Sequence, residues 1–288
     1  MTLDKKYTHF SKDELTKEYS PSSMVDDFMV FIKEYIDLSK TEKDNAQNAI
    51  FDIPYDNGKN QSIDFFAPTM QNTGYLFVYI HGGYWQELSK NESLFMASTM
   101  QKKGLSVAVI DYTLCPDNTV AGIVSECEKA ISYLVKNNEQ YGFDKNKIIV
   151  AGSSAGGHLA TMMGLTNWNE YGIEDPICGI VSVSGIYDLT PLVDTYVNDP
   201  LKLTYETAKK VSPDFIDKIP SSDIVIAWAE FDTKEFIRQS IDYAEKLSSK
   251  GCNVKTLEIK NTNHFNVITD LGKDGSMLLN ASLEFVKG

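Results

Sequence analysis

Gly152-Ser153-Ser154-Ala155-Gly156 follows the apolar run Lys147–Ala151 and opens a segment of helical period, Ala155–Leu165. A G-x-S-x-G stretch between a strand and a helix makes a turn so tight that the residues two before and two after the serine have no room for a bulky side chain. The serine is left at the tip with its hydroxyl exposed above the helix N-terminus. Small-residue turns also serve plain close packing of a helix on a strand. A phosphate-binding loop is a poorer fit, because His158 follows where that loop would carry a lysine. The neighbours of the stretch along the chain decide between these readings.

From about residue 49 onward, short β-branched or aromatic runs alternate with longer helical segments, the pattern of crossover units feeding a mostly parallel sheet. Eight strands are expected: Ala49–Ile53, Gln61–Phe66, Tyr75–Ile80, Leu105–Ile110, Lys147–Ala151, Cys178–Ser184, Asp223–Ala229 and Val254–Ile259. Tyr75–Ile80 and Ile148–Ala151 are apolar at nearly every position, as strands covered on both faces should be. Helices are expected over Val120–Asn138, Ala155–Leu165, Lys234–Lys250 and Ser276–Val286, giving one α/β domain over residues 1–288. Residues 1–48 read as an N-terminal arm with a charged helix at Val25–Leu38, and Asp194–Ile219 as a helical insertion after the sixth strand, a common position for a cap over a site.

The 288 residues carry 40 acidic against 27 basic side chains, a net charge of −13. That balance repels phosphate backbones and anionic membrane surfaces, so nucleic acid and membrane are not expected partners. The partner expected from the chemical segments below is a small-molecule substrate. Met1–Leu15 has no apolar run of the signal-peptide kind, and nothing approaches the roughly 18 apolar residues of a spanning helix. Cys115, Cys127, Cys178 and Cys252 are widely spaced without a C-x-x-C pair, as in a reduced cytoplasmic protein. A homodimer is compatible with the sequence, which carries no feature that fixes the oligomeric state. No two histidines stand at metal-ligand spacing, and neither a metal nor another cofactor is expected.

A second chemical signal, His81-Gly82-Gly83-Tyr84-Trp85, lies directly after the third strand. Glycine-rich backbone there can aim N–H groups at the oxyanion of an acyl-transfer intermediate, and the amides assigned to this are those of Gly83, Tyr84 and Ala155. Tyr84 and Trp85 could wall a substrate ring, although packing onto the core accounts for Trp85 equally well. A serine also needs a base. His9 lies in a polar arm, His81 is placed to brace the glycine loop, and His158 sits one turn inside the helix after Ser154, pointing away from the tip. His264, in a polar loop just past the last strand, remains. The orienting acid should follow the seventh strand. Asp232 is preferred, with Glu230 and Asp188 as rivals, because Ser154, Asp232, His264 is the Ser…Asp…His chain order of the α/β-hydrolase fold.

With these residues placed, the chain resembles the kynurenine formamidase (arylformamidase) branch of the α/β-hydrolases, related to the hormone-sensitive-lipase-like esterases. The similarity runs through Lys17-Glu-Tyr-Ser-Pro21, Asp52-Ile-Pro-Tyr55, Ile63-Asp64, the loop His81–Trp85 continued by Gln86 and Ser89-Lys90, and Asp111-Tyr-Thr-Leu-Cys-Pro116. It continues through the elbow to Ala160, Ser184-Gly-Ile-Tyr-Asp-Leu189 and Asp232-Thr-Lys-Glu-Phe-Ile-Arg-Gln-Ser240. The resemblance implies a triad of Ser154, Asp232 and His264, an oxyanion hole at the His81–Trp85 loop and Ala155, and hydrolysis of N-formyl-L-kynurenine to L-kynurenine and formate. The alternative is a short-acyl carboxylesterase using the same residues. Arg238, the one arginine against 26 lysines, falls inside the last of these segments, where a planar fork of donors could pin a carboxylate or carbonyls near the acid's loop.

Overall fold

The computed structural model describes Tyr7 and residues 9–287. Eight strands, β1 (Ala49–Pro54), β2 (Ser62–Phe66), β3 (Leu76–Ile80), β4 (Ser106–Ile110), β5 (Ile148–Ser153), β6 (Ile177–Val183), β7 (Asp223–Ala229) and β8 (Val254–Ile259), form one sheet in the order β1-β2-β4-β3-β5-β6-β7-β8. β2 runs antiparallel to both its neighbours, and every pair from β4 across to β8 is parallel. The expected runs and the observed strands agree within two residues at each end, and β7 and β8 agree at both ends. Central strands β3 and β5 are buried at every position, whereas edge strands β1 and β8 alternate, because only the centre has helices on both faces.

β3 pairs with β4 on one side and β5 on the other, with Ile80 opposite Gly152. The loops that leave β3 and β5 therefore emerge side by side at the carboxyl edge of the sheet, where crevices form in open α/β sheets. Helix Ala155–Leu165 starts directly after β5, packs on β5 and β6, and is buried along all eleven residues. Helix Val120–Lys136 is started by Thr119, whose hydroxyl accepts the Gly122 amide at 3.1 Å. Apolar side chains fill a core on each face of the sheet.

The arm helix departs from expectation: it spans Met29–Asp44 rather than Val25–Leu38. Pro21 opens a separate 3-10 turn, Pro21–Met24, and Asp27 then accepts the Met29 amide at 2.9 Å, which delays the start of the helix. Lys40 and Asp44, four residues apart, pair across the last turn and extend it. The helix is fastened to the body by Ser39, which accepts the Leu94 amide at 2.9 Å, and by Glu42, which takes the Ser98 amide and hydroxyl at 2.9 and 2.8 Å. Between β6 and β7, residues 194–219 form short helical pieces, Asn198–Leu201, Tyr205–Lys210 and Pro213–Phe215, and bury Leu201, Leu203, Ala208 and Val211. Among the described residues no helix is long and apolar enough to cross a membrane.

Candidate active site

Ser154 occupies φ 57° and ψ −121°, a left-handed conformation that costs a side-chain-bearing residue on the order of 1–3 kcal/mol. Two features hold it there. Its amide donates to the Val183 carbonyl at 2.8 Å, and its carbonyl accepts the His158 amide at 3.0 Å. The spacing of the glycines has a steric cause: a Cβ on Gly152 would lie 2.3 Å from the Gly156 carbonyl oxygen, and one on Gly156 would lie 2.1 Å from that of Ile80. Either substitution would push the elbow off β3.

His264 lies in the loop after β8, its Nδ1 2.6 Å from Asp232 Oδ1. A carboxylate only accepts, so Nδ1 carries the proton and Nε2 is left as the basic nitrogen. Asp232 is itself held: its Oδ2 accepts the Ser184 hydroxyl at 2.6 Å and the Ala229 amide at 3.0 Å. The ring of His264 is flanked edge-on by Phe236, 4.6 Å between centroids. Of the rival acids, Glu230 points outward to the Asn261 amide and Lys260, which hold its carboxyl below the usual range. Asp188 turns to Thr190 and is pushed up by burial. Neither touches His264. Ser184 was not singled out by sequence reasoning; its signal was its place at the end of β6, in the Ser184–Leu189 segment.

Ser154 and His264 line one cavity of about 350 Å³, together with Gly82, Gly83, Tyr84 and Ser153. Gly83 sits at φ 93°, and a Cβ there would meet the Glu87 carbonyl oxygen at 2.2 Å, so the loop after β3 can turn beside the elbow only with glycine at this position. Among the described residues no acceptor is bonded to the amides of Gly83, Tyr84 or Ala155. His81 braces the loop: its Nδ1 donates to the Gly82 carbonyl at 2.9 Å, its ring stacks on Tyr112 at 4.1 Å, and Tyr112 donates to the His81 carbonyl at 3.0 Å. The far end of the loop is tied by buried Lys90, which pairs with Asp64 at 2.8 Å and Asp52 at 2.5 Å. Three of the family-like segments thus meet in one ion-pair cluster.

Trp85 corrects an expectation. It is fully buried, meets His158 edge-on at 5.1 Å, and does not line the cavity; Tyr84 does. His158 is 0% exposed, its Nε2 bonded to the Val211 carbonyl at 2.6 Å, and burial lowers its pKa to about 4. Arg238 forks onto Glu235 (2.8 and 2.7 Å) and reaches Asp242 (2.8 Å), pinning carboxylates of its own helix rather than the loop of Asp232. Part of the cavity wall was unforeseen: Pro21, Ser22, Phe28, Ile32 and Tyr35 come from the arm, while the insertion supplies Tyr196 alone. No group of three or more His, Cys, Asp or Glu is placed to hold a metal among the described residues.

A parallel sheet with a serine at the turn after β5, and a histidine and carboxylate on the loops after β8 and β7, defines an α/β-hydrolase. Residues 63–247 match the BD-FAE family. The chain is 37% identical to a kynurenine formamidase of Salmo salar, covering 92% of this chain and 93% of that one, and 34% identical to a kynurenine formamidase of Danio rerio, covering 96% and 97%. A provisionally assigned thioesterase of Silicibacter sp. tm1040 superposes with a TM-score of 0.81 at 25% identity, covering 93% of this chain and 98% of that one. The chain belongs to the kynurenine formamidase family.

Proposed function

We propose that the protein is a serine hydrolase of aryl formamides, acting on N-formyl-L-kynurenine from within one α/β-hydrolase domain in a reducing cytoplasm. The observation that carries the chemistry is the 2.6 Å contact of His264 Nδ1 with Asp232, beside a strained Ser154 in the same cavity. The family supports the substrate, and the four free cysteines suit the setting.

His264 Nε2 takes the Ser154 proton as Oγ bonds to the formyl carbon, and the Gly83, Tyr84 and Ala155 amides receive the oxyanion. Collapse breaks the carbon–nitrogen bond, and His264 returns the proton to the departing aniline nitrogen. Water then attacks the formyl ester, gives one proton to His264, and formate leaves as that proton returns to Ser154. The aryl ring withdraws density from the nitrogen and makes it a better leaving group than an alkyl amine. Phe28, Ile32 and Tyr84 offer that ring an apolar wall.

Hydrolysis of formylkynurenine by the purified protein and its Ser154→Ala variant tests this. The expected loss in kcat is at least about 10³-fold. An inactive parent that cleaves butyryl aryl esters as fast as formyl ones would replace the substrate claim with a carboxylesterase.

A further inference from the structure

Three of the arm's attachments to the body lie on segments that carry a group of the proposed mechanism. The Tyr84 hydroxyl donates to the Tyr19 carbonyl at 2.7 Å, tying the arm to the residue whose amide faces the oxyanion. Thr233, the residue after Asp232, donates its hydroxyl to the Glu18 carbonyl, and the Glu235 amide reaches the Glu18 carboxylate at 3.2 Å. Phe265, the residue after His264, is gripped twice. Its carbonyl accepts the Tyr35 hydroxyl, and its ring stacks with both Phe28 and Phe31, 5.8 Å between centroids in each pair. Tyr35 is buried, which raises its pKa well above the usual phenol range and keeps it a donor. Tyr19 is buried too, and its hydroxyl donates to Glu235 at 3.0 Å and accepts from Gln239 at 2.6 Å. One stretch, Glu18–Tyr35, therefore touches the loops after β3, β7 and β8.

We infer that this arm is a positioning device. Glu18, Tyr19, Phe31 and Tyr35 set the mutual register of oxyanion loop, acid and base, so that catalytic competence depends on the arm being docked as well as on the cavity being walled. The inference rests on the roles proposed above for Ser154, Asp232 and His264. Thr233 and Phe31 are the informative positions because neither lines the cavity. Thr233 starts helix Lys234–Ser249 without a side-chain cap bond, so removing its hydroxyl deletes its bond to the Glu18 carbonyl and no helix cap, leaving the Glu235 amide on the Glu18 carboxylate.

The test measures the rate at which a small fluorophosphonate labels Ser154 in the full chain and in Thr233→Val, Phe31→Leu and Tyr35→Phe, with kcat and KM for an aryl formamide alongside and the melting temperature as a fold control. Labelling needs the elbow, base and acid in register but not the arm as a substrate wall. Each variant is expected to label about tenfold more slowly, with kcat falling in step and KM within about twofold for Thr233→Val and Phe31→Leu. Labelling at the parent rate, or a loss confined to KM, overturns the inference and leaves the arm a wall. A parent that is not labelled at Ser154 overturns the reading beneath it instead.

Discussion

The arm and the 194–219 insertion both lie outside the sheet, and they are built on opposite terms. The insertion is joined to the elbow helix: His158 reaches the Val211 carbonyl, and Leu201, Leu203, Ala208 and Val211 are buried, yet Tyr196 alone reaches the cavity. The arm keeps Met24, Met29, Val30 and Ile36 in solvent and still supplies five of the cavity's lining residues. Burial and proximity to the site are thus separate properties. A segment can be welded into a core to stabilise the elbow, or laid over the site to shape it, and the position of an insertion after a strand does not say which.

The sharpest way to break the contrast is through acid. His158 has a folded pKa of about 4, below the unfolded value near 6.5, so the unfolded chain binds a proton first as pH falls. Stability is full above about pH 6.5 and falls by about 3 kcal/mol as pH drops to 4. His158→Leu should flatten that window in urea midpoints measured against pH, while costing about 1–3 kcal/mol at neutrality because the Val211 carbonyl loses its donor. An unchanged acid slope would remove His158 from the account. Next in size, Phe28→Ala on the arm should raise KM for the aryl formamide about tenfold, with a stability loss below about 1 kcal/mol from a ring already 37% exposed. Smallest, Tyr196→Ala should change KM by about two- to threefold, since its ring is 53% exposed and, among the described residues, its hydroxyl accepts a bond from Ser20 alone. If Tyr196→Ala matched Phe28→Ala, the insertion would be a cap after all.

The sequence carried the sheet well because buried parallel strands are apolar runs bounded by turns, and Asp223–Ala229 and Val254–Ile259 are as legible as strands become. Ser154, Asp232 and His264 were legible as candidates for a different reason: each stands just past a strand end in the chain order of this fold, and four histidines left few choices. The structure brings His264 and Asp232 into contact, and Ser154 and His264 line one cavity. Trp85 was ambiguous because adjacent residues in a turning loop can face either way, and only the loop's dihedrals, positive φ at Gly83, Tyr84 and Trp85, decide. The arm's share of the site was invisible. Phe28, Ile32 and Tyr35 show nothing local that distinguishes them from any apolar helix face, and their partner Phe265 is 230 residues beyond Tyr35.

That separation has a consequence for how the molecule comes into being. Synthesis delivers the N-terminal part first, so Tyr19 and Tyr35 emerge long before Glu235 and Phe265. Contacts of such range close large loops and form slowly. The core strands can pair while the arm still has nothing to dock on, and turnover should therefore appear only after the sheet is complete, as a last kinetic phase in refolding that restores activity without adding strand.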